Sequence, residues 1–318
     1  MVGSCCRPEG AIHEATGIHH VGASAWPLVA RAQQASTAKI GLLWPGAGPP
    51  VSPRMESFRE GLRGSGYVEG QNVTIELRYT EAGQEQLAGH AADLVRANVD
   101  VIATFGDGGT KIAQQATRTI PIVTIGDDLL GSGLIGSLSQ PGNNTTGITI
   151  LGPELSAKRL ELLSTMVPGL SSVAALWDPI SGPSQVAMSE NAARTMKLKL
   201  QILELAHRDD LDSAFRAARD GHAQAVNVFS SPFLASLYRE IIDRAAAYRL
   251  PAIYQWREHV EAGGLMSYGP LRAQDPMLSL SATTRFLTAG VSNWFNSRRA
   301  MRSQRRTARA TLPKPAGL

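Results

Sequence analysis

Short apolar runs that alternate with helix-patterned segments constrain this chain more than any other feature. The run KIGLLWP at residues 39–45 is nearly continuous in apolar residues, as in a strand buried on both faces of a parallel sheet. A helical pattern follows at 54–66, with Met55, Phe58 and Leu62 on one face. The alternation then predicts strands at 73–79, 99–105 and 120–125 and helices at 85–98 and 110–117. This order predicts βαβ units and a parallel sheet.

The alternation breaks once and then begins again, which predicts two lobes. Residues 131–149 are rich in Gly, Ser, Asn and Thr and predict a loop and crossing segment. KIGLLWPG in the first half resembles SSVAALWDP at 171–179, which is a weak internal repeat. The second half is predicted to contain helices at 155–167, 185–197, 211–221 and 232–249 and strands at 173–177, 200–205, 223–229 and 252–254. The predicted fold class is α/β, with two Rossmann-like lobes of parallel sheet: lobe 1 at residues 39–149 and lobe 2 at 150–269.

Both ends of the chain depart from this pattern. Residues 1–38 end like a secretory signal, with the small-x-small site Ala30-Arg31-Ala32, but His19 and His20 stand where an apolar stretch belongs. We interpret this segment as a defective or frame-slipped leader of an exported protein. Residues 270–318 are rich in Arg, Ser and Thr without helical or strand period, which predicts an aberrant basic tail. A solvated tail and a second frame slip are both open interpretations.

Composition excludes several classes of protein. The 318 residues contain no apolar run of about 18 or more, which excludes a membrane-spanning helix. Cys5 and Cys6 are the only cysteines and are adjacent, so no disulfide framework can form. The net charge is +4, but the tail carries nine basic residues and a single acidic one, Asp275. The body is therefore mildly acidic, and we expect no nucleic-acid partner.

The segment GDGGTKIAQQ follows the strand predicted to end at Phe105, where parallel sheets bind their ligands. Gly108 and Gly109 would let the backbone approach a ligand, and Thr110 is predicted to cap a helix whose free amides face a carboxylate. The alternative is that the glycines only form a tight turn and Thr110 only caps. This segment is neither a Walker loop, since it lacks GxxxxGK(S/T), nor a GxGxxG motif, since Lys111 stands where the third glycine would be.

Further candidates follow the other predicted strands. Ser230 and Ser231 precede Pro232 and predict a helix cap, with or without ligand contact. Asp178 would pair with a ligand ammonium or cap the next turn. Three tryptophans also follow strands, a placement that favours stacking on a ligand. The predicted ligand-binding residues are Trp44, Gly108, Gly109, Thr110, Asp127, Trp177, Asp178, Ser230, Ser231, Tyr254 and Trp256.

Catalytic and metal motifs give no comparable signal. GxSxG, HExxH and a His pair at metal-ligand spacing are absent from the body of the sequence, and no nucleophile has a base beside it. His90, His207, His222 and His259 are predicted to lie at the surface. The Asp127-Asp128 pair could hold a divalent ion, but adjacent loop acids usually face solvent. We predict no catalytic residue, no metal and no cofactor.

Several segments carry a family resemblance: RGSGYVEGQNVTIELRY at 63–79, AADLVRANVDVIATFG at 91–106, IPIV at 120–123, SLSQPGNNTTGIT at 137–149, AKRLELL at 157–163 and PAIYQWREHVEAGGLMSYG at 251–269. Over residues 39–274 the chain resembles the substrate-binding proteins of ABC transporters, in the branch related to tryptophan and tyrosine binders. The resemblance implies a type I periplasmic-binding fold that closes around a small solute, with hinges near 147–152 and 265–269.

For amino-acid binders of this family, the resemblance places the ligand carboxylate on hydroxyls and amides at helix starts and the side chain on aromatics. Here that implies Thr110, Ser230 and Ser231 for the carboxylate and Asp178 for the amine. Family members return to the first lobe with a final helix and strand, where this sequence has residues 277–318 instead.

The expected function is therefore that of a periplasmic, monomeric, non-enzymatic receptor of an ABC importer. It would deliver an amino acid, aromatic or branched, to the permease and its ATPase subunit. The alternatives are a ligand-sensing signalling module and a Rossmann-like enzyme acting on a small metabolite.

Overall fold

The computed structural model describes residues 37–47, 52–80 and 83–270. The leader predicted at residues 1–38 and the tail predicted at 270–318 lie outside the described residues, apart from their inner borders. No helix in the described ranges combines the length and apolar character needed to cross a membrane.

The first lobe is one parallel sheet covered by three helices. Its order in space is β2-β1-β3-β4-β5, and every pair of neighbours is parallel. The elements are β1 Ala38–Ala47, α1 Ser52–Gly64, β2 Val73–Thr80, α2 Gly83–Arg96, β3 Val101–Phe105, α3 Gly106–Ala116, β4 Ile122–Gly126 and β5 Thr145–Thr149.

The second lobe repeats this architecture, with strand order β10-β9-β8-β6-β7 and parallel pairing throughout. A turn of 3₁₀ helix at Pro179–Ser181 follows its first strand. The other elements are α4 Gly152–Met166, β6 Ser172–Trp177, α5 Ser184–Met196, β7 Lys199–Glu204, α6 Asp210–Asp220, β8 Ala225–Val228, α7 Pro232–Ser236, α8 Tyr238–Ala247, β9 Ala252–Tyr254, α9 Arg257–Glu261 and β10 Met266–Ser267.

The two sheets have the same strand order when each is counted from its own first strand. β1 and β6, which carry the two copies of the weak sequence repeat, occupy equivalent central places. The predicted fold class is therefore confirmed: two Rossmann-like lobes with parallel sheets. In each lobe the crevice lies between the first and third strands, where the chain leaves in opposite directions.

Burial on both faces explains why β1 is an almost continuous apolar run. Ile40 and Leu42 pack with Phe58 of α1 on one face of the sheet. Leu43 packs with Leu94 of α2 on the other face. All five side chains are nearly inaccessible to solvent, and each contributes about 1.5–3 kcal/mol by its burial.

Two predictions of secondary structure were wrong. The segment predicted as loop at 131–149 ends in the strand β5. Within the described part of the chain β5 pairs with β4 alone and is mostly half-buried, so its apolar signal is weak. The helix predicted at 232–249 is two helices, α7 and α8, separated at Leu237. Neither Gly nor Pro marks that break in the sequence.

The chain passes from the first sheet to the second at residues 150–151, inside the first predicted hinge segment. Leu151 has φ 54° and ψ 45°, the left-handed conformation that is unfavourable for a branched side chain. The domain boundaries and the hinges themselves remain predictions.

Candidate functional site

The carboxyl ends of the two sheets face one cleft of about 340 Å³, its open mouth included. The ends of β1, β3 and β4 and the residue after β5 form one wall, and the residues after β8 and β9 form the other. The lining residues are Trp44, Phe105, Gly106, Ile125, Asp127, Ile150, Ser230, Ser231, Pro232, Gln255 and Trp256. The cleft thus has aromatic and aliphatic walls, one carboxylate and a few neutral polar groups.

Five of the eleven predicted ligand-binding residues line this cleft: Trp44, Asp127, Ser230, Ser231 and Trp256. The other six do not: Gly108, Gly109, Thr110, Trp177, Asp178 and Tyr254. Sequence reasoning missed Phe105, Gly106, Ile125, Ile150, Pro232 and Gln255. Gln255 stood in the QW pair directly after β9, so its position at a strand end was the signal that could have identified it.

Thr110 does not cap a helix, which corrects the sequence-based prediction. Helix α3 begins four residues earlier at Gly106, with Phe105 as its N-cap residue. The Thr110 hydroxyl donates to the Gly106 carbonyl at 2.8 Å and pairs with the Thr124 hydroxyl at 2.6 Å. Because the side chain is fully buried, these bonds fix α3 to β4 inside lobe 1.

The glycines of α3 allow protein elements to approach one another. A Cβ at Gly108 would lie 2.1 Å from Cγ2 of Ile180, in the 3₁₀ turn of the other lobe. A Cβ at Gly109 would lie 2.6 Å from Oγ1 of Thr104, within the same lobe. At Gly106, where φ is 73°, the Pro232 ring of α7 is 3.2 Å from the Cβ position. Gly106 and Gly108 therefore admit lobe 2 against lobe 1.

Asp178, Trp177 and Tyr254 have structural partners in lobe 2. Asp178 caps the 3₁₀ turn by accepting from the Ile180 amide at 3.0 Å, and it accepts from the Ser231 hydroxyl at 2.6 Å. Burial raises the pKa of Asp178 to about 6, against these hydrogen bonds. The indole of Trp177 donates to the Gly182 carbonyl at 3.0 Å. Tyr254 is buried in the core of the lobe, and that burial raises the pKa of its hydroxyl.

Ser231 caps α7. Its hydroxyl oxygen accepts from the amides of Phe233 and Leu234, at 3.0 and 3.2 Å, while its proton goes to Asp178. Ser231 is therefore a helix cap, as the sequence predicted.

Asp127 and Ser230 join the two walls of the cleft. The Ser230 hydroxyl donates to Oδ1 of Asp127, and both residues are buried. Burial raises the pKa of Asp127 to about 7, nearby Asp107 adds to the rise, and Ser230 and Arg159 oppose it. The expectation that the Asp127-Asp128 pair faces solvent is wrong for Asp127, which is 3% exposed.

Asp107 holds the loop after β4 in place. Its carboxylate accepts from the Asp127 and Asp128 amides, at 2.8 and 3.0 Å, and from the Ser132 hydroxyl at 2.7 Å. Burial raises its pKa despite these bonds. This residue was missed because a helix-start acid within a glycine-rich segment gives no sign of what it bonds.

A buried polar network supports Ser230 from behind. Gln185 of α5 accepts from the Ser230 amide at 2.8 Å and donates to its carbonyl at 2.7 Å. It also accepts from the Ser156 hydroxyl at 2.8 Å, and that hydroxyl oxygen in turn accepts from Arg159 at 2.7 Å. Arg159 is fully buried, and burial lowers its pKa to about 10 against the attraction of Asp127.

Arg159 was not predicted, although the sequence held a signal. It lies on the face of α4 that also carries Ser156, Leu160 and Leu163, all of which are buried. A charged residue at the helical spacing of an apolar face indicates a buried partner. Arg159 meets that expectation by also donating to Oδ1 of Asn227 at 3.3 Å and to the Tyr268 carbonyl at 3.1 Å.

Two buried donors of the cleft find no acceptor among the described residues: Nε1 of Trp44 and Nε2 of Gln255. Trp44 is 1% exposed and Gln255 is 4% exposed. The Trp44 ring packs edge-on against Phe105, with centroids 5.2 Å apart. Because buried polar groups are ordinarily paired, two such donors in one cleft are a notable feature of the site.

His259 was predicted to lie at the surface, and this was wrong. It is 3% exposed, and its ring stacks on Tyr238 with centroids 5.1 Å apart. His207 and His222 are exposed as predicted, whereas His90 is half-buried. Within the described ranges, no three His, Cys, Asp or Glu side chains come together in a group that could hold a metal ion.

Comparison with known proteins agrees with this architecture. The family model described as "ABC transporter substrate binding protein" matches residues 39–274. A curated relative, the tyrosine-binding protein of Clostridioides difficile, is 25% identical over 158 residues, which is 49% of this chain and 45% of that protein. The chain therefore matches less than half the length of that relative.

Solved structures share the fold at low identity. A conserved domain protein from Vibrio cholerae is similar with a TM-score of 0.69 and 21% identity, over 82% of this chain and 86% of that one. An ABC domain in complex with L-Trp from Streptococcus pneumonia has a TM-score of 0.68 and 22% identity, over 80% and 85%. Since the family model covers well over half of the sequence, this chain belongs to the substrate-binding protein family of ABC transporters.

Proposed function

We propose that the chain is the solute receptor of an ABC importer and that its solute is an amino acid with an aromatic or branched side chain. The observation that carries this proposal is the cleft at the carboxyl ends of both sheets, whose described lining has apolar walls and a buried carboxylate, Asp127. The receptor acts as an exported monomer in the periplasm and passes its solute to a permease driven by an ATPase subunit. It catalyses no reaction.

The chemistry of the lining supports an amino acid. Asp127 is the one carboxylate among the described residues of the lining, and we assign to it the ammonium group of the solute. Asp178 is less suited, because it lies outside the lining and its oxygens accept from Ser231 and Ile180. Trp44, Phe105 and Trp256 offer aromatic surface to an apolar side chain. A tyrosine-binding relative and an L-Trp complex with the same fold support this class of solute.

Closure of the lobes is the proposed mechanism. The Ser230–Asp127 hydrogen bond and the approach of Ile180 to Gly108 both join lobe 1 to lobe 2. A solute that contacts both walls stabilises this arrangement over an open one by its differential affinity. The motion is proposed to occur at residues 147–152 and 265–269, and the closed form to engage the permease.

Thermal unfolding of the full chain against single amino acids, nucleosides and organic acids tests the proposal. A solute at about 1,000 times its Kd adds about 4 kcal/mol to stability, which raises Tm by several degrees. We expect the shift with aromatic or branched amino acids and its loss in Asp127→Asn. Asp209→Asn, at an exposed position, is the matched control. A shift confined to nucleosides or organic acids, or no shift at all, would contradict the proposed solute class.

A further inference from the structure

The hydroxyls expected to hold the ligand carboxylate are already engaged. Thr110 donates to the Gly106 carbonyl or to Thr124, Ser230 donates to Asp127, and Ser231 donates to Asp178. A hydroxyl has one proton, so none of the three has a second proton for a solute oxygen while these bonds are made. The acceptor group of the solute must therefore find its donors elsewhere in the cleft.

Among the described residues, no lysine or arginine lines the cleft. The one fully buried lysine or arginine among the described residues is Arg159, which donates to Ser156, Asn227 and the Tyr268 carbonyl. A carboxylate in this cleft must therefore be held by neutral donors, with its charge balanced by the solute's own ammonium at Asp127. That requirement favours a zwitterion over a simple organic anion.

Two neutral donors meet this requirement, one from each lobe. Nε1 of Trp44 and Nε2 of Gln255 are buried, line the same cleft and have no acceptor among the described residues. Leaving a buried donor unpaired is costly, so the fold keeps these two groups at the expense of stability. A group that accepts from both would connect β1 of lobe 1 to the residue after β9 of lobe 2.

We propose that Trp44 and Gln255 together bind the carboxylate of the solute and are the residues that require an acceptor oxygen on it. This inference rests on the proposed function, because it presumes that the solute binds between the lobes. It extends that function by assigning the two donors and by predicting that a solute lacking the oxygen is rejected.

The test is a thermodynamic cycle that combines the removal of a protein donor with the removal of the solute carboxylate. Calorimetric titration measures the affinity of each combination. The probes are L-tryptophan with tryptamine and L-leucine with isoamylamine, where each amine keeps the side chain and ammonium but lacks the carboxylate. The variants are Trp44→Phe, which keeps an aromatic ring, and Gln255→Met, which keeps the chain length. Changes in packing affect both members of a probe pair alike and cancel in the cycle.

We expect each variant to bind the amino acid about tenfold or more weakly than the parent does, the usual effect of losing a hydrogen bond to a charged group. The amine should bind the parent weakly or unmeasurably, and its affinity should not fall further in the variants. Trp177→Phe and Gln114→Met are the matched controls. Their donors are satisfied outside the cleft, by the Gly182 carbonyl and by the Leu134 carbonyl with Thr145, so solute affinity should be unchanged.

The outcomes separate this inference from the proposed function. If the parent binds none of the amino acids, the proposed function fails and the inference fails with it. If the parent binds an amino acid and both variants bind it equally well, only the inference is overturned. The inference is also overturned if the parent binds an amino acid and the corresponding amine with equal affinity. The same holds if a variant binds the amino acid and the amine more weakly by the same factor.

Discussion

Asp127 gives the molecule two opposing dependences on pH. Its pKa is raised from 3.8 to about 7, first by burial and then by Asp107, while Ser230 and Arg159 oppose the rise. Between about pH 4 and pH 7, the folded chain therefore keeps a proton on Asp127 that the unfolded chain has released. The stabilisation is complete below about pH 4 and is lost as the pH rises through about 7. Asp178, with a pKa of about 6, acts in the same direction.

Solute affinity should change the opposite way, because an ammonium binds the ionised form of Asp127. For a carboxyl with a pKa near 7, the ionised fraction rises about tenfold between pH 6 and pH 8. We expect the affinity for an amino acid to rise by about that factor while the free energy of unfolding falls. Titration calorimetry and urea unfolding at both pH values measure the two trends. In Asp127→Asn, both the affinity and the free energy of unfolding should depend less on pH. If the affinity of the parent stays constant across this range, Asp127 is not the ammonium site.

Arg159 is a buried cation behind the cleft whose charge attracts the Asp127 carboxylate. Arg159→Met removes the charge while leaving Ser156, Asn227 and the Tyr268 carbonyl with fewer partners. Breaking a buried charged network costs about 3–5 kcal/mol, and urea unfolding measures that loss. The neighbouring Lys158→Met loses only an exposed pair with Glu161 and should cost less than about 1 kcal/mol. Similar losses in the two variants would show that Arg159 has no special role.

At this scale, sequence reasoning correctly predicted several side chains that lie at strand ends beside the cleft, and their role in ligand binding stays a prediction. Trp44, Asp127 and Ser230 were predicted as site residues because parallel sheets bring such positions to one edge, and all three line the cleft. It did not identify residues whose partners are set by the packing of distant segments, such as Gln185 and Arg159. Their partners lie 45 and 68 residues away, and no local pattern specifies that pairing.

Helix α3 shows how an element can be adapted to its neighbour across the cleft. Its first turn is nearly all glycine, and Gly108 lies where a Cβ would clash with the Ile180 side chain and carbonyl of the other lobe. The clash exists only when the lobes are together. In the proposed closure mechanism, Gly108 is therefore the residue of this turn that lets Ile180 approach, whereas the helix itself would be more stable with alanine there.

Gly108→Ala should separate closure from folding. We expect solute affinity to fall about tenfold or more, because the added methyl group destabilises the closed form, while lobe 1 gains up to about 1 kcal/mol of helix stability. Gly89→Ala is the matched control, because this α2 position has nothing within 4 Å of the added Cβ. It should show the gain in stability without the loss of affinity. Calorimetric titration measures the solute affinity of both variants, and urea unfolding measures their stability. Unchanged affinity in Gly108→Ala would contradict a role of Gly108 in closure.

The crossing from β5 to α4 stores backbone strain at Leu151. A left-handed conformation costs a branched side chain about 1 kcal/mol more than it costs asparagine. Leu151→Asn should therefore raise the free energy of unfolding by about 0.5–1 kcal/mol, as measured in urea. Leu138→Asn is the control, since Leu138 is similarly exposed but has no positive φ. An equal change in both variants would show that loss of an exposed leucine, not relief of strain, is responsible.

Strands that are covered on both faces were predictable from the sequence, whereas the edge strand β5 and the break between α7 and α8 were not. The continuous apolar runs of β1, β3 and β6 survive as strong signals because both sheet faces are covered. The edge strand β5 contains Thr and Gly in a segment of loop-like composition, so it was taken as loop. The break between α7 and α8 depends on how Leu237 packs in the core of lobe 2, which no local rule anticipates.

At the scale of the whole molecule, the repeated strand order explains why the site lies between the sheets. Two lobes with the same order place equivalent crevices at their carboxyl ends, and these ends meet at the cleft. The sequence predicted two such lobes because the alternation of strands and helices begins twice. It did not predict how closely they approach, since that depends on particular pairs such as Gly108 and Ile180.

Under the proposed closure of the lobes around a solute, the contacts that join the walls should also set the rate at which solute enters and leaves. A solute cannot pass while Ser230 bonds to Asp127 and Ile180 rests on Gly108, so entry and departure wait for those contacts to part. The observed association rate should then level off at high solute concentration, at the rate of lobe opening, instead of rising to the diffusion limit. Residence time would then be a property of the protein as much as of the solute, and Gly108, which does not line the cleft, should help to determine it.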